Sequence, residues 1–269
     1  MRDEAVTTSG VLYPAQLPIF HREPATGATS VFVRWFWIPE WDLEPGQVSR
    51  QHLIAFPACN FVVEQKMIGI SGPTTRASFR DLTGTGWAVG ALLRPAAVPA
   101  FTSDVAGLRD SYQRVDYAEL GAAVQAAMSS GPAHDRHKAA IAAFSKWLAN
   151  RLGAPSEEGL LANRMVEAAE TNRSILTVKD LAAHLHISTR TLQRLARKFV
   201  GLSPAALIRR RRIQEVAERL RGDPHLDLTA LAIELGYADH SHLTRDCKAV
   251  LGFTPSSYRA ALPTEPAGG

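Results

Sequence analysis

The sequence has few of the cysteine residues that form disulfides and reactive thiols, and its β-rich part has few of the histidine residues that form metal sites. Its 269 residues contain two cysteines, Cys59 and Cys247, so one disulfide at most could form and a reducing cytoplasm is the compartment we expect. The β-rich part of the chain, described below, has only His21 and His52 as imidazoles, far apart in sequence and without an H-x-H pair. The sequence therefore predicts no metal site.

Long hydrophobic runs are also missing. No segment approaches eighteen consecutive apolar residues, and the opening MRDEAVTTSG lacks the apolar core of a signal peptide. We therefore expect neither export nor a membrane span. No glycine-rich phosphate loop and no Ser/His/Asp arrangement stands out, and Cys59 is better explained as a small buried residue than as a reactive thiol. We expect no enzymatic activity and no cofactor.

Charge is distributed unevenly along the chain. The net charge is +4, but residues 177–262 hold 14 Lys and Arg against 8 Asp and Glu, a net +6, which leaves the remainder at −2. A basic module joined to a mildly acidic one is typical of a nucleic-acid-binding domain attached to a domain with another task.

The basic part contains one helix-turn-helix pattern written twice, about fifty residues apart. In the first copy, Thr177 and Asp180 form a start that resembles a capping box, and Ser188 can cap the second helix. Leu192 and Phe199 face inward on that helix. Its outward face carries side chains that suit a DNA major groove: Arg190, Gln193, Arg194 and Arg197. On a single helix, such a face could be no more than a solvated surface.

The second copy has the same arrangement. Its first helix ends at Gly236, and Asp239 can cap the next one, in which Leu243 and Cys247 face the core. The positions left for solvent or DNA are His240, Ser241, His242, Thr244 and Arg245. We take all of these except Thr244 as candidate DNA contacts, although histidines near a helix start could form only local hydrogen bonds.

A long helix is predicted between the copies. Ser203 and Pro204 suit a helix start and Gly222 an end, which gives a helix from Pro204 to Arg221. Its eighteen residues make a strut of about 27 Å. With the width of the flanking helices, the two outward faces lie roughly one DNA turn, about 34 Å, apart. This spacing favours DNA contact over a solvated surface, because one chain could then read two successive major-groove segments.

The N-terminal part has a different residue pattern from the basic C-terminal part. Residues 1–28 are predicted to form an arm with little regular structure. Over residues 29–152, short β-rich segments separated by Gly or Pro predict a small antiparallel barrel or sandwich, followed by alanine-rich helices. The helix at 135–152 could pack on the barrel or pair with its twin in a homodimer. The remaining segments are predicted to be a linker at 153–158, a DNA-binding domain at 159–262 and a disordered tail at 263–269.

Two tryptophans are the candidate effector contacts. Trp35 and Trp37 alternate to the same side of a predicted strand. They could line a hydrophobic pocket for a small molecule, or they could fill the core of the barrel with no ligand at all.

The repeated segment resembles the DNA-binding domain of the AraC/XylS family of transcription regulators. The resemblance is carried by LAAHLHISTRTLQRLARKFVGLSPAALIRRRRI and LAIELGYADHSHLTRDCKAVLGFTPSSYR, with Cys247 where the family usually has Phe. More loosely, the Trp-rich early strand and the G-x-x-x-R-P segment from Gly90 to Pro95 resemble the sensor domains of such regulators.

The resemblance implies an α+β chain of two domains. The first is a cupin-like antiparallel barrel with trailing helices, and the second is an all-α domain with two helix-turn-helix units joined by a long helix. The implied function is that of a bacterial, cytoplasmic, sequence-specific regulator of transcription, such as an activator. Its expected partners are double-stranded DNA, a small-molecule effector and RNA polymerase, with a homodimer possible and no membrane. The alternative is a ligand-independent architectural DNA-binding protein.

Overall fold

A computed structural model describes residues 19–223 and 225–261 of the chain. Most of the arm that the sequence places at residues 1–28, and the whole tail at 263–269, lie outside the described residues. Within the described ranges, eight strands come first and nine α-helices follow. This order confirms the predicted α+β fold class, with a β-rich N-terminal part and an all-α C-terminal part.

The strands form two antiparallel sheets. They are β1 (Ile19–Pro24), β2 (Val33–Asp42), β3 (Val48–Leu53), β4 (Asn60–Glu64), β5 (Met67–Ser71), β6 (Ser78–Thr83), β7 (Thr85–Leu93) and β8 (Tyr112–Val115). Six of them build one sheet in the order β1-β2-β7-β4-β5-β8, and β3 pairs with β6 in a two-stranded ribbon. The ribbon is fastened to the large sheet by an ion pair of 2.7 Å between Arg80 and Glu64.

In the described ranges the large sheet does not close into the predicted barrel. β1 pairs only with β2 and β8 only with β5, so the sheet keeps two edges. A closed barrel would require its terminal strands to pair with each other. The sequence pattern is compatible with both outcomes, because alternation shows which face of a strand is buried but not which strand is its neighbour.

β1 lies in a segment that the sequence assigns to the unstructured arm. It pairs with β2 from Ile19 opposite Glu40 to Pro24 opposite Trp35. Pro24 can lie in this strand because an edge strand needs hydrogen-bond partners on one side only. The expectation of little regular structure is therefore wrong for Ile19–Pro24.

Two helices cover one face of the large sheet, α1 (Ala118–Met128) and α2 (Ala133–Arg151). Phe36 and Ile38 of β2 are buried in the core that these helices complete, and the ring of Phe36 lies 5.7 Å from that of Phe144 on α2. The helix predicted at 135–152 is α2, for which the sequence leaves two roles open. The first role, packing on the β-rich part, is present in the structure. Pairing between two copies stays a prediction.

Seven helices follow: α3 (Glu157–Thr171), α4 (Val178–His184), α5 (Thr189–Phe199), α6 (Pro204–Gly222), α7 (Leu228–Glu234), α8 (His240–Leu251) and α9 (Pro255–Ala261). The long helix α6 belongs to two cores. Leu207 and Ile208 are buried with the residues of α4 and α5, whereas Val216 and Leu220 are buried with those of α7 and α8. Each of these side chains contributes about 1.5–3 kcal/mol by leaving water, so α6 holds both units firmly.

Candidate nucleic-acid interface

The two helix-turn-helix units, α4–α5 and α7–α8, begin in the same way. Thr177 caps α4 by accepting a hydrogen bond from the Asp180 amide at 3.1 Å. The Asp180 carboxylate accepts one from the Thr177 amide at 2.7 Å, which completes a capping box. Fifty residues later, Asp227 caps α7 by accepting from the Thr229 amide at 2.8 Å. These side chains satisfy backbone donors that a helix start leaves unpaired, which fixes where each first helix begins.

The turns between the helices also match. His186 and Gly236 both have a positive φ, 55° and 74°. In each turn the next amide, of Ile187 or Tyr237, donates to the carbonyl five residues earlier, at 3.0 and 2.9 Å. Only glycine adopts this backbone conformation without a steric cost, so His186 occupies its position at the expense of some strain.

The second helices of the two units are one residue further apart in sequence than the first helices. Ser188 caps α5 by accepting from the Thr191 amide at 3.1 Å, and Asp239 caps α8 by accepting from the His242 amide at 2.7 Å. These caps are 51 residues apart, not 50, so the turn of the second unit contains one more residue. The repeated sequence pattern gives the period only as about fifty and does not locate this insertion.

On α5, the predicted outward face is open to solvent. Arg190, Gln193 and Arg197 are exposed, and within the described residues none of the three makes a side-chain hydrogen bond or an ion pair. Their inward neighbours Leu192 and Leu195 are fully buried. The helix therefore presents free guanidinium and amide groups over its outer face.

Arg194 differs from the other candidates on α5 because it has an internal partner. Its Nη1 lies 2.6 Å from Glu158 at the start of α3, and the Nζ of Lys198 lies 2.6 Å from the other oxygen of the same carboxylate. Hydrogen bonds from Lys198 and Arg194 hold the pKa of Glu158 below its ordinary value. Sequence reasoning missed Lys198, although its spacing of four residues from Arg194 places both on one face.

On α8, the candidates divide into two kinds. Ser241 and Arg245 are exposed. His240 is half-buried, with its Nε2 3.4 Å from the Thr244 hydroxyl, and the ring of His242 packs edge-on against Tyr237 at 5.2 Å. His242 is nevertheless exposed, so a local contact and a contact with DNA are both open to it.

Four consecutive arginines on α6, at 209–212, point in different directions, as 100° per residue requires. Their partners are Asp246 of α8 for Arg209, the Ala55 carbonyl for Arg210, Glu215 and the Ile175 carbonyl for Arg211, and the Leu176 carbonyl for Arg212. The run therefore connects α6 to both helix-turn-helix units and to the β-rich part.

The β-rich part is also bonded directly to the second unit. The Ala55 amide donates to the Val250 carbonyl at 3.0 Å, and the Ala77 amide donates to the Ala249 carbonyl at 3.2 Å. Both carbonyls belong to the C-terminal end of α8. The β-rich part therefore fixes α8 at its C-terminal end and leaves Ser241 and Arg245, nearer its N-terminal end, open to solvent.

Trp35 and Trp37 lie on the sheet face opposite Phe36. The Trp37 indole donates to the Asn60 side-chain oxygen at 2.9 Å, and the guanidinium of Arg34 lies 4.6 Å from the centre of the Trp35 ring. The two tryptophans are half-buried and have protein partners. The structure does not test an effector-binding role for them, which stays a prediction.

The described ranges contain neither a metal-binding cluster nor a membrane-spanning helix. Over residues 19–223 and 225–261, no group of three or more His, Cys, Asp or Glu side chains is placed to hold a metal ion. No α-helix in these ranges combines the length and the apolar character needed to cross a bilayer. Burial raises the pKa of the Cys59 thiol to about 12, so it stays protonated and unreactive near neutral pH.

Two family models match the chain: a helix-turn-helix domain over residues 181–261, and a domain of unknown function (DUF6597) over residues 13–113. The HTH-type transcriptional activator AarP of Providencia stuartii is 36% identical over 94 residues, which are 35% of this chain and 67% of AarP. A putative AraC-like transcription regulator of Streptomyces antibioticus is 36% identical over 83 residues, 31% of this chain and 27% of that protein.

The chain thus spans two thirds of the length of AarP but about a quarter of the Streptomyces regulator. Among solved structures, ToxT of Vibrio cholerae matches over 91% of this chain and 98% of its own, with 10% identity and a TM-score of 0.42. The helix-turn-helix match and the relatives that share it show that the chain belongs to the AraC family of transcription regulators.

Proposed function

We propose that the protein regulates transcription by binding specific sequences of double-stranded DNA, with α5 and α8 each lying in a major groove. One observation carries the proposal: two helix-turn-helix units, each with side-chain helix caps and a left-handed turn residue, pack on the same long helix, α6. Their second helices are therefore held in a fixed relation, as reading two successive groove segments requires. The DNA-contacting residues would be Arg190, Gln193, Arg194 and Arg197 on α5, and His240, Ser241, His242 and Arg245 on α8.

The exposed side chains suit two kinds of contact. Arg190 can donate paired hydrogen bonds to a guanine edge, and Gln193 can pair with an adenine edge. Lys198 and Lys248 lie on the exposed sides of the same helices, where an ammonium group would contact phosphate. Base contacts would select the site, while phosphate contacts would fix the register and supply salt-dependent affinity.

Further partners belong to the same proposal. A small-molecule effector would bias the presentation of α5 and α8 through its different affinity for two states of the chain. RNA polymerase would be the partner in activation, and a homodimer could form through the N-terminal part. A protein that regulates bacterial genes works where the chromosome is, so the cytoplasm is the compartment that we propose. Enzymatic activity is not part of the proposal.

The test is a sequence selection from random DNA followed by titration of the selected site. We expect at least about a 10³-fold preference for that site over random DNA. Arg190→Ala should weaken specific binding by about 1–3 kcal/mol and relax the preference at one base position. Arg164→Ala, which removes an exposed arginine from α3, is the matched control and should leave the preference unchanged.

Two outcomes would count against this assignment. An equal loss on every sequence would reduce Arg190 to a phosphate contact. Steep salt dependence without any sequence preference would favour the alternative, an architectural protein that binds DNA through the net +6 charge of residues 177–262.

A further inference from the structure

A cavity of about 100 Å³ lies between the β-rich part and the first helix-turn-helix unit. One wall comes from β2, residues 56–59, the end of β7 and the 3₁₀ turn Pro95–Ala100. The other wall comes from α3 and from Phe199 and Val200 at the C-terminal end of α5. The cavity therefore contacts both the sheet and the back of a candidate DNA-reading helix.

Most of the polar groups in this lining already have partners. Asn163 accepts from the Ala96 amide at 2.9 Å and donates to the Val31 carbonyl at 2.8 Å, so both ends of its side chain are used. Arg34 forms an ion pair with Glu170. These groups hold the two walls together and have little hydrogen-bonding capacity left for a ligand.

Arg94 has a donor group that is not used. Its Nε is buried, and within the described residues this atom has no hydrogen-bond partner. The Arg94 side chain also forms no ion pair with any carboxylate in those ranges. The side chain as a whole is half-buried, but an Nε–H donor that is buried and unpaired costs free energy, and a bound acceptor would recover it.

Arg210 strengthens the positive charge behind the cavity. It is 5% exposed, its Nη2 is buried without a partner in the described residues, and its guanidinium lies 4.3 Å from the ring centre of Phe56, which lines the cavity. Burial lowers the pKa of Arg210 to about 10. Repulsion from Arg34 lowers this pKa further, whereas attraction to Glu170 raises it. Arg210 therefore stays charged at neutral pH.

The balance of charge around the cavity favours an anion. Two guanidinium groups, those of Arg34 and Arg94, line it, and the guanidinium of Arg210 lies behind the Phe56 ring. Arg34 is neutralised by Glu170. The other carboxylate of the lining, Glu167, is exposed, so water screens its charge. The Cys59 thiol in the wall is neutral and does not repel an anion.

The remaining walls are apolar, and the volume limits the size of any occupant. Leu92, Val98 and Phe199 face the cavity. A cavity of about 150 Å³ accommodates the six carbon atoms of benzene, so about 100 Å³ suits a molecule of roughly four or five non-hydrogen atoms. A site with a few convergent polar groups in an otherwise apolar pocket is typical of small-molecule binding.

We propose that this cavity binds a small aliphatic carboxylate, whose oxygens accept hydrogen bonds from Arg94 and whose hydrocarbon end lies against Leu92, Val98 and Phe199. The site deepens the effector control proposed above, and its regulatory meaning rests on that proposed function. An occupant would touch α3 and the end of α5 together with the sheet. It would therefore stabilise the docked arrangement of the two parts and change how α5 is presented to DNA.

The experiment uses propionate as the probe and propionamide, which has the same shape but no charge, as the control ligand. Calorimetric titration and thermal unfolding of the full chain should both detect propionate, and propionamide should bind about tenfold more weakly or not at all. Arg94→Gln should weaken propionate binding by about tenfold or more, and Arg94→Lys, which keeps the charge, by less. Arg164→Gln, on α3 but outside the cavity lining, should bind propionate like the unmodified chain.

The proposal is overturned if propionate does not bind, if propionamide binds equally well, or if Arg164→Gln loses as much affinity as Arg94→Gln. If Arg94→Gln fails to fold, as judged by circular dichroism, the comparison of the two ligands and the Arg94→Lys variant still decide. Selection of a DNA site without ligand tests the proposed function separately. Failure to bind propionate therefore cannot be mistaken for failure to bind DNA.

Discussion

Among single residues, Glu158 limits what α5 can offer to DNA. Its carboxylate holds both Arg194 and Lys198 at 2.6 Å on the exposed side of the molecule. Exposed ion pairs of this kind contribute little net stability because solvent screens them, so a phosphate group could displace the carboxylate at small cost. Arg190, Gln193 and Arg197 need no such exchange, because in the described residues they have no side-chain partner.

Glu158→Gln should tighten DNA binding. The substitution removes the competing carboxylate and a negative charge beside the interface, so we expect Kd to fall by up to about fivefold. Fluorescence anisotropy with the selected DNA site at fixed salt measures the change. Glu157→Gln is the control, since it removes the neighbouring exposed charge from the same first turn of α3. Equal effects of the two variants would indicate that Arg194 and Lys198 do not contact DNA.

At the scale of elements, each helix-turn-helix unit depends on a left-handed turn residue. Gly236 has φ 74°, and the atom nearest to a Cβ built there is 3.6 Å away, on Arg212. An alanine at this position would therefore meet no close contact. Its cost would come from the backbone conformation alone.

Gly236→Ala should lower the free energy of unfolding by about 1–2 kcal/mol. Gly222→Ala is the control, because this glycine ends α6, has open space around its Cβ position and has no positive φ. There the substitution should be neutral or stabilising by up to about 1 kcal/mol. Urea unfolding of both variants provides the measurement, and a loss at Gly222 as large as at Gly236 would contradict the explanation.

For the whole molecule, two equivalent glycines join the helical part to the β-rich part. Gly201 and Gly252 follow α5 and α8, and both have a positive φ, 75° and 86°. A Cβ on Gly201 would lie 2.7 Å from the Val105 carbonyl oxygen, and one on Gly252 would lie 2.7 Å from the His52 ring. Each unit therefore ends in a glycine that allows the β-rich part to approach closely.

Gly201→Ala should separate the two parts of the molecule as well as strain the turn. We expect a total loss of about 2–4 kcal/mol from the backbone conformation and the displaced Val105 segment. Small-angle X-ray scattering should show a larger radius of gyration, and proteases should cleave within residues 153–158 more quickly. Gly236→Ala carries similar strain without a contact between the parts, so its scattering should stay unchanged. A compact Gly201→Ala variant would show that this contact does not hold the parts together.

The sequence alone determined the elements whose causes are local. Thr177, Ser188 and Asp239 cap helices, and apolar spacing places Leu192 and Leu243 inward, because these effects act within a few residues. The α+β class and the repeated helix-turn-helix units followed from such signals. The exposed positions on α5 and α8 could be predicted in the same way, although their contacts with DNA remain a proposal.

Only the tertiary structure decided what depends on residues far apart in the chain. Within the described residues it left the sheet open, placed Ile19–Pro24 at its edge and paired Arg194 with Glu158. It also directed Arg210 to the Ala55 carbonyl and left Arg94 facing a cavity between the two parts. The physical reason is that periodicity and capping specify which face of an element is buried, whereas the partner on that face is selected by packing among all the elements at once.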